Sequence, residues 1–209
     1  LNVPYYRLYT HRVNNFKIRP QNLEAMLKGL VKTQHLLILN NPGNPTGVLY
    51  TRDELIAIAN VCRKYNTLIL ADEVYSLLTY DPGSFVSMGR IYPEGTFVIH
   101  SLSAGMAAGG FRLGSCIMPE GCSPNIIRDV AKIAATIYTS SAVPIQKAGV
   151  AAYQPGEEMN QYLNAVRNIF RIMTTRLAIL CSEIEGIRIT IPKAGFHFMV
   201  DMNPMSDEL

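Results

Sequence analysis

The chain has 209 residues, of which 48% are hydrophobic and 17% charged, values typical of a soluble α/β protein that can bury a substantial core. Its net charge is only +3, and its 19 basic residues are scattered along the sequence rather than clustered. A nucleic-acid-binding or membrane-binding surface is therefore not expected. No apolar run approaches the roughly 18 residues that a membrane-spanning helix requires.

The cysteines and histidines show no pattern of disulfide or metal chemistry. The four cysteines contain no Cys-x-x-Cys pair, and the four histidines lack the spacing of metal ligands. Residues 1–7 lack the charged start and apolar stretch of a signal peptide. We therefore expect a reduced, metal-free, cytoplasmic protein.

The first half of the chain alternates predicted helices with short apolar runs typical of buried strands. Residues 1–19 predict two brief strands with a turn at Asn14-Asn15, and a helix begins near Pro20. Thr51 and Glu54 have the spacing of a capping box for a helix over Arg52–Tyr65, with Leu55, Ile58, Ala59 and Cys62 on its buried face. The predicted strands are residues 35–40, 67–71 and 96–100.

In the second half, a fourth strand at residues 111–118 follows the third too closely for a parallel crossover, which predicts an antiparallel pairing. Ser123 and Ser141 are predicted to cap helices reaching about Thr136 and Tyr153. A long helix runs from Gly156 to about Glu185, and strands at 187–191 and 196–202 follow. This long helix carries an apolar stripe predicted to pack, formed by Tyr162, Val166, Ile169, Met173, Leu177 and Leu180.

Strands that alternate with helices predict an α/β fold with a mostly parallel sheet and helices on both faces. We expect residues 1–165 to form part of a large domain. Residues 166–209 would then supply a bridging helix and the first strands of a smaller α+β domain.

Polar side chains follow three of the predicted strands at the point where each strand ends. Asn44 follows the first strand, Asp72 and Tyr75 follow the second, and a segment from Ser101 to Arg112 follows the third. Because the carboxyl ends of parallel strands meet at one edge of a sheet, these groups are expected to face one crevice.

Each of these groups has both a functional and a plain structural interpretation. Asp72 ends an apolar strand, where a carboxylate needs a cation such as a protonated pyridine nitrogen, although a strand-end aspartate can also simply cap a loop. Asn44 lies in a rigid turn with two X-Pro bonds and could donate its amide to a ligand or be part of an ordinary proline turn. Tyr75 could donate its phenol to a ligand or lie at the edge of the core.

The segment after the third strand suits a phosphate monoester. Ser101 and Ser103 offer hydroxyl groups, and the guanidinium of Arg112 can grip a phosphate through two parallel hydrogen bonds. Its glycines allow a close approach of the backbone but form neither a dinucleotide-binding fingerprint nor a Walker loop. These glycines are Gly105, Gly109 and Gly110.

Three segments in this order resemble those of the class I/II aminotransferases, fold-type I enzymes that use pyridoxal 5′-phosphate (PLP). They are Asn-Pro-Gly-Asn-Pro-Thr-Gly at 41–47, Asp-Glu-Val-Tyr at 72–75 and the serine-to-arginine segment at 101–112. The resemblance implies that Asn44 and Tyr75 bind the cofactor's ring hydroxyl and Asp72 its ring nitrogen. It implies that Ser101 and Arg112 bind the phosphate, with amino acids and 2-oxo acids as substrates of a homodimer.

The sequence departs from this family at the residue on which its chemistry depends. The family has a Schiff-base lysine three residues after the first serine, and this chain has Ala104 there. Lys132 and Lys147 lie in predicted helices and are not expected to replace it. The chain also starts after the family's glycine-rich phosphate loop and stops before the arginine that binds the substrate carboxylate.

The departure leaves three hypotheses. The chain is a segment of a PLP-dependent aminotransferase that is inactive or severely impaired, with PLP bound noncovalently at best. Alternatively, it is a non-catalytic relative that keeps the scaffold for binding or dimerisation. A PLP-dependent lyase or synthase of the same fold also shares these cofactor motifs.

Overall fold

The computed structural model of the chain describes residues 4–30 and 34–202. Within these residues the chain forms seven α-helices and six β-strands. The helices are α1 (Pro20–Gly29), α2 (Arg52–Lys64), α3 (Met88–Ile91), α4 (Leu102–Gly105), α5 (Pro124–Tyr138), α6 (Val143–Ala152) and α7 (Glu157–Ser182). The strands are β1 (His35–Asn40), β2 (Thr67–Asp72), β3 (Thr96–Ser101), β4 (Gly114–Ile117), β5 (Arg188–Ile189) and β6 (Val200–Asp201).

The main sheet has the strand order β1-β2-β3-β4. The first three strands are parallel, and β4 is antiparallel to β3, as the short connection predicted. The register places Asn40 beside Asp72, Asp72 beside Ile99, and Ser101 beside Gly114. The mostly parallel α/β fold is therefore confirmed, and the carboxyl ends of β1, β2 and β3 lie at one edge.

The core lies between this sheet and α2. Thr51 caps the helix: its side chain accepts a hydrogen bond from the Glu54 backbone, and the Glu54 side chain accepts one from Thr51. This reciprocal pair satisfies two backbone donors that the first helical turn leaves without partners. The predicted buried face is confirmed, since Leu55, Ile58, Ala59 and Cys62 are all 0% exposed. Burial raises the pKa of the Cys62 thiol to about 12.

The opposite face of β1 is open in the described part of the chain. Leu39 is buried in the core cluster on one face of the strand. Leu36 and Ile38, which lie on the opposite face, are 55% and 67% exposed. The apolar run at residues 35–40 predicted a strand covered on both faces, and that prediction is wrong for the described residues. The described helices that pack on β1 do so on the Leu39 side.

The two strands predicted for residues 1–19 do not form in the described part of that segment. Residues 4–11 adopt no regular structure, and Arg12–Asn14 forms a single 3₁₀ turn. Asn15 and Phe16 follow with φ angles of 53° and 55°, which lie in the left-handed region and interrupt an extended chain. The predicted turn is therefore present, but no strand flanks it between residues 4 and 19.

Of the two serine caps predicted for the later helices, one is confirmed. The Ser123 side chain accepts a hydrogen bond from the Asn125 backbone at the start of α5. Ser141 is not the cap of α6, because Ala142 occupies the N-cap position and makes no side-chain bond. A proline in the first turn of α6 lacks a backbone N–H, so this helix starts with one fewer donor to satisfy.

The predicted packing stripe of α7 is largely exposed. The buried residues of this helix are Leu163, Thr174 and Ala178, whereas Met173 and Leu177 are 64% and 53% exposed. Hydrophobic spacing correctly indicated a helix but selected the wrong buried face. Although α7 spans 26 residues, no helix in the described ranges combines the length and apolar character that crossing a bilayer requires.

Glu73 is the buried carboxyl group of this core, with an exposure of 0%. Its Oε1 accepts hydrogen bonds from the Met88 backbone (2.7 Å) and the Ser87 hydroxyl (3.1 Å), while its Oε2 has no hydrogen-bond partner. His100 Nε2 lies 4.0 Å from Oε2. Burial raises the pKa of Glu73 to about 7, and the neighbouring Asp72 adds to the shift. Burial also lowers the pKa of His100.

The core position of Ile58 gives a first prediction. We expect Ile58→Ala to lower the free energy of unfolding by about 2 to 5 kcal/mol, because it leaves a cavity beneath the sheet. The matched control is Ile172→Ala on α7, where the isoleucine is 57% exposed and the expected change is within about 0.5 kcal/mol. Urea unfolding followed by circular dichroism measures both. Equal losses in the two variants would contradict the packing described here.

Glu73 gives a second prediction, on the pH dependence of stability. Because its folded pKa lies above the unfolded value of 4.5, the folded state binds more protons, so the stability falls as the pH rises from 4.5 through about 7. Glu73→Gln removes this pH-dependent contribution to the free energy of unfolding, because glutamine does not titrate. Between about pH 5 and pH 8, the unmodified protein should lose about 2 to 3 kcal/mol more unfolding free energy than the variant.

Urea titrations at several pH values test this prediction, with the exposed Glu120 changed to Gln as a control. The control should show the same pH slope as the unmodified protein. An unchanged slope in Glu73→Gln would show that the Glu73 carboxyl is not the group that titrates.

Candidate functional site

The loop after β1 is fixed to the end of β2 through the side chain of Asn40. Its Nδ2 donates to the Asp72 carbonyl at 3.1 Å, and its Oδ1 accepts from the Asn44 backbone at 2.6 Å. The Asn41-Pro42 and Asn44-Pro45 peptide bonds are both cis. The Asn41 side chain accepts from the Tyr50 backbone at 3.1 Å, which closes the loop on its other side. Asn44 is thereby presented at the edge of the sheet.

Asn44 and Tyr75 are in direct contact. Asn44 Nδ2 donates to the phenolic oxygen of Tyr75 at 3.0 Å, although the two residues are 31 positions apart in the sequence. The phenolic O–H of Tyr75 is then available to a further acceptor. Two of the residues singled out in the sequence therefore form one polar unit.

Asp72 is the last residue of β2 and is partly buried. Its Oδ1 accepts from the Val74 backbone at 3.4 Å, and its backbone carbonyl accepts from Asn40 and Asn41. Among the described residues, no cation forms an ion pair with this carboxylate. A cationic ligand atom at the sheet edge would supply that partner.

The segment from Ser101 to Arg112 folds back on itself beside β3. The Ser101 hydroxyl caps the short helix α4 by accepting from the Ser103 backbone at 3.0 Å, which leaves its own hydrogen free to donate. Leu102 donates to the Leu113 carbonyl, which fastens the two ends of the segment together. Arg112 adopts a left-handed φ of 53°, and its Nη1 donates to the Gly109 carbonyl at 3.0 Å. The remaining guanidinium N–H groups are available to an anion.

Ala104 lies inside this segment, in α4 between Ser103 and Gly105. Its methyl group can act neither as a nucleophile nor as a base. Lys132 and Lys147 lie in α5 and α6, as predicted, and not in this segment. The site therefore has polar groups suited to holding a ligand but no amine at this position to bond to it.

The chemistry of this set fits a phosphorylated pyridine. Asn44 and Tyr75 can bind a ring oxygen, Asp72 can pair with a protonated ring nitrogen, and the hydroxyl of Ser101 with Arg112 can hold a phosphate. The strand register places the segments carrying these residues at adjacent strand ends.

Sequence reasoning missed two aromatic residues that contact Tyr75. The rings of Phe196 and His197 lie with their centroids 5.7 Å and 5.6 Å from that of Tyr75, both in edge-to-face orientation. Burial lowers the pKa of His197. His197 and Tyr75 are 122 positions apart in the sequence, so no local pattern indicates the contact.

Comparisons with known proteins identify the family of the chain. The family model "Aminotransferase class I and II" matches residues 1–209. The chain is 31% identical over 188 residues to an aspartate aminotransferase of Geobacillus stearothermophilus, covering 88% of this chain and 45% of the relative. It is 27% identical over 202 residues to kynurenine–oxoglutarate transaminase 3 of Rattus norvegicus, covering 94% of this chain and 43% of the relative.

The solved structures support the same fold. The aspartate aminotransferase from Thermus thermophilus with maleate superposes with a TM-score of 0.83 and 24% identity, over 95% of this chain and 50% of that chain. The chain thus spans about half the length of the relatives it matches. Since the family model extends over the whole sequence, this chain belongs to the class I and II aminotransferases, a family of fold-type I enzymes that use PLP.

Proposed function

We propose that this chain forms part of an aminotransferase-type site that binds PLP noncovalently and catalyses transamination weakly or not at all. The parent reaction is transfer of an amino group from an amino acid to a 2-oxo acid. The observation that carries the proposal is the Asn44–Tyr75 hydrogen bond beside Asp72, at the edge where three parallel strands end.

We assign the binding of the cofactor's ring to three residues. Asn44 and Tyr75 hold the ring hydroxyl, with the phenol as donor, and Asp72 holds a proton on the ring nitrogen. When bound, PLP supplies an electron sink for a carbanion at the substrate's α-carbon. The carboxylate of Asp72 maintains that property, because it stabilises the protonated form of the ring nitrogen.

The phosphate is assigned to Ser101, Ser103 and Arg112. Ser101 has a free hydroxyl hydrogen, and Arg112 keeps several N–H donors that are not used within the segment. Phosphate contacts of this kind position a cofactor without taking part in its chemistry. They are the contacts that would retain PLP when no covalent bond to the protein forms.

Ala104 is the reason to expect little or no catalysis. Proton transfer by a positioned side chain contributes about 10²- to 10⁴-fold in rate, and the family lysine also provides the covalent route. An alanine removes both contributions.

A second candidate is a non-catalytic relative that keeps the scaffold for binding or dimerisation, and the same residue, Ala104, favours it. The two candidates differ in whether the protein turns over amino acids at a low rate or only binds the cofactor. Steady release of a 2-oxo acid with ammonia would instead indicate a lyase of the same fold.

We further propose a cytoplasmic homodimer with a domain boundary near residue 165. The separate two-stranded sheet β5–β6 supports a second unit after α7. Apolar side chains exposed on α5, including Ile133 and Ile137, support association with a second copy. Four cysteines without disulfides are in keeping with a reducing compartment.

The alanine position yields a third prediction, tested in the protein expressed from its complete reading frame. We expect Ala104→Lys to acquire a visible absorbance with PLP and, after borohydride reduction, the mass of one covalently attached cofactor. The unmodified protein should lose its PLP on gel filtration. A matched control, Ala108→Lys, places an amine four residues away and should form no covalent product. A folded Ala104→Lys variant without attached cofactor would contradict the assignment of this segment.

The phosphate assignment yields a fourth prediction. Arg112→Ala should reduce the preference for PLP over unphosphorylated pyridoxal by about tenfold or more, because a charge-assisted bond to phosphate is worth about 1.5 to 3 kcal/mol. Isothermal titration calorimetry with both ligands measures this ratio, with the exposed Arg128→Ala as the control. If Arg112→Ala weakens the binding of PLP and of pyridoxal by the same factor, the arginine does not bind the phosphate.

A further inference from the structure

Tyr75 is held from two opposite parts of the chain. Asn44 bonds its phenolic oxygen, and His197 contacts its ring edge to face at 5.6 Å with an interplanar angle of 88°. His197 comes from the segment between β5 and β6, far along the sequence from the turn after β2 that carries Tyr75. The geometry of the phenol therefore depends on that later segment.

The segment that carries His197 is anchored by backbone hydrogen bonds on both sides of Tyr75. Lys193 donates to the Gly47 carbonyl at 2.7 Å, and Gly195 donates to the Leu78 carbonyl at 3.1 Å. The Tyr80 hydroxyl donates to the Gly195 carbonyl at 2.9 Å. Gly195 has a φ of +72°, and a Cβ at this position would lie 3.6 Å from the Tyr75 ring. His197 is thus fixed against Tyr75 rather than placed there by a loose loop.

A row of aromatic rings extends from this contact to α7. The Phe196 ring lies 4.2 Å from that of His197 and 5.0 Å from that of Phe170 on the helix. Because rings in contact restrict one another's rotation, the orientation of His197 is set by this row.

We propose that His197 is a positioning residue that acts through Tyr75 to orient its phenol toward the cofactor's ring hydroxyl. The proposal rests on the proposed function, since it assigns a role at the same PLP site. His197 itself does not bond the cofactor. Its imidazole limits the rotation of the Tyr75 ring, so that the O–H held by Asn44 points in one direction before the ligand arrives.

The test uses the protein from its complete reading frame and measures the dissociation constants of PLP and inorganic phosphate. His197→Ala should weaken the binding of PLP about threefold to tenfold, which corresponds to the interaction free energy of one aromatic pair. It should leave the binding of phosphate unchanged. His197→Phe keeps a ring against Tyr75 and should restore PLP affinity to within about twofold. The visible spectrum of bound PLP should change in His197→Ala and return in His197→Phe.

A double-mutant cycle with Tyr75→Phe separates positioning from general packing. If His197 acts through the phenol, His197→Ala should cause no further loss of PLP affinity once the hydroxyl is absent. Equal losses in both backgrounds, or an unchanged affinity in His197→Ala, would overturn the proposal while leaving the PLP site in place. Failure of the unmodified protein to bind PLP would overturn the proposed function and this inference together.

Discussion

The arrangement of the site depends on the side chain of Asn40. Its amide donates to the Asp72 carbonyl on the neighbouring strand and accepts from the Asn44 backbone four residues later. The parallel register makes this possible, since Asn40 and Asp72 are level at the last rung of the pairing. Together with the bond from the Asn41 backbone to the same carbonyl, this bridge holds the loop after β1 at the position from which Asn44 reaches Tyr75.

The candidate site combines polar groups suited to binding a ligand with an alanine at position 104. Holding a ligand requires acceptors, donors and a cation at defined positions, and the ends of three strands supply them. Covalent chemistry requires in addition a nucleophile within reach, and the methyl group of Ala104 is not one. The neighbouring cap is formed, because the Ser101 hydroxyl accepts a hydrogen bond from the Ser103 backbone. The hydrogen bonds that hold α4 come from the backbone and from the Ser101 hydroxyl, and none comes from the side chain at position 104.

Local patterns predicted the elements well where one interaction within a few residues decides the structure. The capping box at Thr51 and Glu54 fixed the start of α2, and the short link after β3 fixed the antiparallel direction of β4. Local patterns did not predict which side chains are buried where residues distant in the sequence cover them. The stripe through Met173 and Leu177 has helical spacing, yet Thr174 and Ala178 face the rest of the chain. Hydrophobic spacing identifies a helix, but only its neighbours determine which side is covered.

By itself, the sequence determined the order of the four strands of the main sheet and of the long helices, the family and the identity of the polar groups, because those depend on residue types at fixed separations. Only the tertiary structure decided that Asn44 bonds Tyr75, that Glu73 is buried with one oxygen unpaired, and that His197 contacts the Tyr75 ring. These contacts join residues 31 or more positions apart, or depend on the packing of several elements at once. The order of residues along the chain does not indicate which of these distant residues meet. The sheet register and the backbone hydrogen bonds of residues 193–195 bring them together.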